Sequence, residues 1–187
     1  MNALESVKHT ASNLIASIED RVKQDILERK GFVVIMAGSD SDKPHIDTIV
    51  KALNGYGIRS QVRIASAHKE PEIVSALIVA YDGLNAPLAY VAVAAKTDAL
   101  SGGVSYHSVN PVVSCPPDHP NLSCLNNPPG SCNAYVGEPK NLARFIAQMF
   151  SHLDPKLRKK LEEERDSKIS TLMKKDEEFR KYPYEVK

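Results

Sequence analysis

The sequence predicts an α/β fold: a three-layer α/β/α sandwich around a parallel sheet, with an extra helix at each terminus. Three observations carry this. Short β-rich runs alternate with segments whose apolar residues recur at helical spacing, the pattern of βαβ units. The first run, Phe32 to Met36, is apolar without alternation, as in a strand buried on both faces. Charge is uneven along the chain. Residues 31–150 hold 8 basic and 9 acidic residues, whereas the much shorter 151–187 holds 11 and 9. The expected organisation is an N-terminal helical extension over 1–30, an α/β domain over 31–150 and a charged C-terminal helix over 151–187.

Residues 3–29 read as one helix, because Leu4, Val7, Ala11, Leu14, Ile18, Val22 and Ile26 step by three or four with no Pro or Gly between them. Gly31 ends it and the first strand follows. Asp42 to Asn54 reads as a helix with Ile46, Ile49, Val50 and Leu53 on one face, stopped by Gly55 and Gly57. Gln61 to Ile64 is the second strand. Pro71 to Tyr81 is a helix whose proline is tolerated in the first turn. Leu88 to Ala94 and Pro111 to Cys115 are the third and fourth strands. Residues 95–103 read as a loop rich in small residues, and 116–133, rich in Pro, Asn, Ser and Gly, as a long irregular segment. Tyr135 and Val136 suit a last short strand. Pro139 to Phe150 is a helix with Leu142, Phe145, Ile146 and Met149 inward, and Pro155 to Lys181 a charged outer helix.

Composition excludes several functions. With 24 Lys+Arg against 23 Asp+Glu, the net charge of +1 lacks the basic excess of a nucleic-acid binder. No run of 18 apolar residues exists to span a membrane. Glu5, Glu19, Asp20 and Asp25 break any signal- or transit-peptide pattern. Three cysteines, an odd number, point to free thiols in a reducing compartment, so the cytoplasm is the expected location. The low charge of 31–150 predicts surface buried in an oligomer.

Ligands of an open parallel sheet bind outside the carboxyl ends of its strands, so the following segments are the candidates. After the first strand, Gly38 permits close backbone approach, and Ser39, Ser41 and a helix N-terminus suit a phosphate. Asp42 can cap that helix or accept from a ribose diol. After the second strand, Ser66-Ala67-His68-Lys69 places a proton-transfer group beside a cation. After the third come Lys96, Thr97, Asp98, Ser101 and Gly102. Lys96 can act as a point charge on an anion, or pair with Asp98 at the surface. Cys115, Cys124 and Cys132 lack the spacing of structural zinc, and no P-loop or GxSxG elbow occurs. No metal is expected.

Read together, these loops resemble the aminoimidazole ribonucleotide (AIR) carboxylase family of purine biosynthesis. The matching pieces are Gly38-Ser39-Asp40-Ser41-Asp42, Ser66-Ala67-His68-Lys69, Ala99-Leu100-Ser101-Gly102 and Cys115-Pro116-Pro117, in the family's order, within residues 31–150. The Lys after the His, the Ala-Leu-Ser-Gly run and the Cys-Pro-Pro turn resemble the class II branch, which carboxylates AIR directly with CO2, rather than the N5-carboxyaminoimidazole ribonucleotide mutases. The resemblance implies a flavodoxin-like fold and a homo-octamer with sites between subunits. It implies His68 as the proton-transfer group, and Gly38, Ser39, Ser41, Asp42, Ser66, Ala67, Lys69, Lys96, Thr97, Asp98, Ser101 and Gly102 around a ribonucleotide. It further implies CO2 as the co-substrate, with no metal, biotin or other cofactor. The chain departs from the class II pattern where Ala95-Lys96-Thr97-Asp98 stands for Gly-Arg-Ser-Asn, and at Asn126, where that pattern has Arg. Such departures leave three alternatives: a paralogue acting on another mononucleotide, a mutase, or a non-catalytic ribonucleotide-binding protein. The long N-terminal helix is also untypical of the family.

Overall fold

The computed structural model describes residues 20–182, together with positions 10 and 13. The apolar positions Leu4, Val7, Ala11, Leu14 and Ile18 lie outside the described residues. In chain order the elements are α1 (Asp20–Leu27), β1 (Phe32–Ala37), α2 (Lys43–Gly55), β2 (Ser60–Ile64), α3 (Pro71–Asp82), β3 (Leu88–Val93), α4 (Ala99–His107), β4 (Val112–Ser114), β5 (Ala134–Tyr135), α5 (Pro139–Phe150) and α6 (Pro155–Phe179). Single 3-10 turns occur at Asp40–Asp42 and Ser123–Leu125. The five strands form one sheet in the order β2-β1-β3-β4-β5, every pair parallel.

All six residues of β1 and of β3 are buried. Successive side chains point to opposite faces, so each strand feeds two cores. Val33, Ile35, Val91 and Val93 meet Ile46, Ile49 and Leu53 of α2 and Leu142, Ile146 and Phe150 of α5. Phe32, Val34, Met36 and Tyr90 meet Leu77, Ile78 and Tyr81 of α3 and Leu100 and Val104 of α4. Helices therefore cover both faces, giving the expected three layers. Val22 joins the α3–α4 side, where Ile26 packs against it, so the described end of the N-terminal stripe covers the core domain itself. On the other side, α6 adds only Leu157 and Leu161 to the core; its remaining length is exposed apart from the half-buried Glu164.

Two expectations need correction. Residues 99–107 form a helix, not a loop. Gly102 and Gly103 depress helix propensity, but Leu100 and Val104 bury one face, and packing overrides propensity. Phe145 points outward, while Ala143, Ala147 and Phe150 join Leu142 and Ile146 in the core. The buried stripe of α5 is thus offset toward the two alanines, which let the helix approach the sheet closely.

Candidate functional site

The sheet order places β1 between β2 and β3, so connections leave β1 and β3 in opposite directions and open a crevice at their carboxyl ends. A cavity of about 170 Å³ lies there. The loop after β1 supplies Gly38, Ser39, Ser41 and Asp42, and the loop after β2 supplies Ser66, Ala67 and His68. From the end of β3 onward come Ala94, Ala95, Thr97, Ala99 and Leu100. A larger groove of about 630 Å³ on the flank of α2, α5 and α6 is lined by lysines, Arg144, Glu163 and Glu164. It lies away from the crevice and its Arg144 and Glu164 already pair with each other. We therefore take the smaller cavity as the site, because small residues and convergent hydroxyl, carboxylate and imidazole groups meet there.

Each loop is held by its own hydrogen bonds. Ser39 accepts from the Ser41 amide at 3.2 Å, and the two hydroxyls lie 2.8 Å apart. Asp42 occupies the N-cap position of α2 yet makes no capping hydrogen bond, which leaves its carboxylate for a ligand. Partial burial raises the Asp42 pKa above its ordinary value; His45 opposes this and the neighbouring Asp118 and Asp40 carboxylates add to it. After β2, the Ser66 carbonyl accepts from the Glu70 amide at 2.8 Å, forming a turn that exposes His68 at the rim.

The structure gathers Gly38, Ser39, Ser41, Asp42, Ser66, Ala67, His68 and Thr97 around one cavity. Lys69, Lys96, Asp98, Ser101 and Gly102 do not line it. Lys69 and Lys96 are exposed. Asp98 is buried as the N-cap of α4: it accepts from the Ser101 amide at 2.8 Å and from the Ser114 hydroxyl at 2.6 Å. Both oxygens are thus occupied, and the Asp that stands in place of Asn faces away from the cavity. Ser101 is fully buried behind Asp98. Gly102 lies under the 116–133 segment. A Cβ there would stand 2.6 Å from Asn127 Oδ1, and its carbonyl accepts from Ser131 at 2.6 Å.

Sequence reasoning did not single out His45. It stands in the first turn of α2, three residues after Asp42, with Nε2 3.1 Å from the Cys115 carbonyl and 3.6 Å from its sulfur. That spacing is the one signal the sequence offered, since it returns a side chain to the same helix face. Burial, with Glu138 nearby, pushes the Cys115 thiol up to about 12 and leaves it inert as a nucleophile.

A doubly wound parallel sheet with a polar crevice at its switch point defines a small-ligand α/β protein. Its family is settled by comparison. The AIR carboxylase family model matches residues 32–171. A phosphoribosylaminoimidazole carboxylase of Treponema denticola is 32% identical over 80% of this chain and 98% of its own length. A crystal structure of Treponema denticola PurE superposes with a TM-score of 0.74 at 32% identity, again over 80% and 98% of the two chains. An N5-carboxyaminoimidazole ribonucleotide mutase of Methanocaldococcus jannaschii is 29% identical over 80% of this chain and 98% of its own. The chain belongs to the AIR carboxylase family, a family of purine-biosynthetic enzymes with the flavodoxin-like fold. Among the described residues no helix is long and apolar enough to cross a membrane.

Proposed function

We propose that the protein reversibly carboxylates AIR at ring carbon C4 with CO2, giving 4-carboxy-5-aminoimidazole ribonucleotide. The observation that carries this reading is the convergence of Ser39, Asp42, Ser66 and His68 on one cavity at the switch point. The uncapped Asp42 carboxylate accepts from the ribose diol, and the serine loop at the start of α2 holds the phosphate end. Lys69 and Lys96, exposed at the rim, add positive charge toward the approaching phosphate. The electron pair of the electron-rich C4 forms the new bond to the CO2 carbon. His68 takes the C4 proton as the ring regains aromaticity, and returns it in decarboxylation. No covalent intermediate with the protein is required; the work is positioning. The site lies between subunits of a homo-octamer in the cytoplasm.

The mutase reading is favoured by the Methanocaldococcus relative. The deciding experiment offers purified protein AIR with CO2, the carboxylated product in reverse, and N5-carboxyaminoimidazole ribonucleotide separately. Turnover of AIR with CO2 is the expected result. Turnover of the N5-carboxy compound alone moves the chain to the mutases. Silence in all three, from folded protein, points to another mononucleotide or to binding without catalysis. His68→Asn retains ribonucleotide binding and loses at least about 100-fold in kcat, the scale of a lost general base; full activity in that variant removes His68 from the mechanism.

A further inference from the structure

We propose that Asp118, Asn121 and Ser123 are positioning residues: they hold the Lys96 peptide in a left-handed turn that sets the cavity wall at Ala95 and Thr97. The inference rests on the ribonucleotide reading of that cavity and goes beyond it, because none of the three residues lines the cavity.

Lys96 has φ +65°, a conformation that an L side chain keeps only where its surroundings over-determine it. Here both sides of the residue are gripped. The Lys96 amide donates to Asp118 Oδ2 at 2.8 Å. Its carbonyl accepts from Asn121 Nδ2 at 2.8 Å and lies 3.1 Å from the Ser123 hydroxyl. Ser123 also accepts from the Asp98 amide at 2.9 Å, so the grip reaches the first residue before α4. The clamp is braced within itself. Asn121 Nδ2 donates to Asp118 Oδ1 at 2.9 Å, and Asn121 Oδ1 accepts from the Ser123 hydroxyl at 2.7 Å. Asn121 is buried and Ser123 half-buried, so the bonds that Asn121 makes are partly shielded from competing water, whereas Asp118 is exposed. The same contacts outweigh burial and hold the Asp118 carboxyl below its ordinary pKa.

The consequence falls on the ligand wall. Ala95 and Thr97, on either side of the turn, both line the cavity, whereas Lys96 does not. Released, Lys96 relaxes to negative φ, and its two neighbours move with it. Asn121 is the residue to remove. Asp118 also lies near Asp42, so its loss would alter two things at once.

The test is a double-mutant cycle, with AIR as the probe, its Kd read by calorimetry and kcat and KM by the carboxylase assay. Glycine adopts φ near +65° unaided. Asn121→Ala is therefore expected to raise Kd and KM about ten-fold in the wild-type background but less than about two-fold in a Lys96→Gly background, whatever Lys96→Gly does by itself. An equal effect in both backgrounds, or none in the wild type, overturns the proposal. If Asn121→Ala fails to fold by circular dichroism, Ser123→Ala takes its place in the cycle. If wild-type protein does not bind AIR, the ribonucleotide reading fails. The positioning role is then read from amide hydrogen exchange at residues 96–98. Faster exchange in Asn121→Ala supports it, and unchanged exchange overturns it.

Discussion

Asp98 and Cys115 stand next to the strand ends, and each is held by structure before chemistry. Asp98→Ala removes two buried hydrogen bonds, to the Ser101 amide and the Ser114 hydroxyl, and leaves both donors unpaired. Bonds to a charged group of this kind are worth about 1.5–3 kcal/mol each, so the variant should lose about 3 kcal/mol or more in urea unfolding. Asp98→Asn keeps one acceptor and should lose about half as much. A loss below about 0.5 kcal/mol would show that the cap contributes little. Cys115 and Cys124 are buried, while Cys132 is exposed. A thiol reagent at pH 8 should therefore modify one cysteine quickly in the native protein and all three only after unfolding. Burial, with Glu138 nearby, raises the Cys115 thiol from its ordinary 9.0 to about 12. Its contribution to stability is intact below pH 9.0 and is lost as pH rises toward about 12, because only the unfolded chain releases the proton there. Cys115→Ala should flatten that alkaline loss; an unchanged pH profile would assign it to other groups. The sequence offered these residues as chemistry-bearing types at a strand end. It could not show that their hydrogen bonds or burial were already committed, because the Asp98–Ser101 bond exists only once α4 has formed and Ser114 joins Asp98 from 16 residues along the chain.

Elements were legible where one physical signal dominated. α5 begins and ends where its proline and its apolar spacing place it, and α6 follows from charge at helical intervals, including the Arg158–Glu162 and Arg180–Asp176 pairs. α4 was not legible. Its two glycines oppose helix, its burial depends on packing against β3, and Asp98 as its N-cap is recognised only once the helix exists. The junction between α1 and β1 depends on one small residue. A Cβ on Gly31 would overlap the Phe150 ring, so the end of α5 closes directly over the chain entering the sheet. Gly31→Ala should displace that ring and cost about 1–3 kcal/mol, seen as a lower Tm. Phe150→Leu in the same chain should recover part of the loss if the clash is the cause.

At the scale of the molecule, apolar side chains remain on the surface. Val62 and Ile64 on the edge strand β2, Val79 on α3, and Tyr106 and Val109 around the end of α4 are all exposed. Together with the low charge of 31–150, they support the proposed assembly, since such residues become buried when subunits associate. If the proposed octamer forms, light scattering should give roughly eight times the 20.5 kDa chain mass; a monomer at micromolar concentration would rule the octamer out. The sequence by itself determined the layer architecture and the loops that line the cavity. Hydrophobic periodicity is a local signal, and a parallel sheet puts successive strand ends on one edge. The tertiary structure alone decided which residues of those loops face the cavity. Asp98 bonds to Ser114 and Gly102 to Ser131, and Lys96 is fixed by Asp118 and Asn121, 22 and 25 residues further along the chain. That choice depends on hydrogen bonds between segments distant in sequence, which come together only when the sheet has formed.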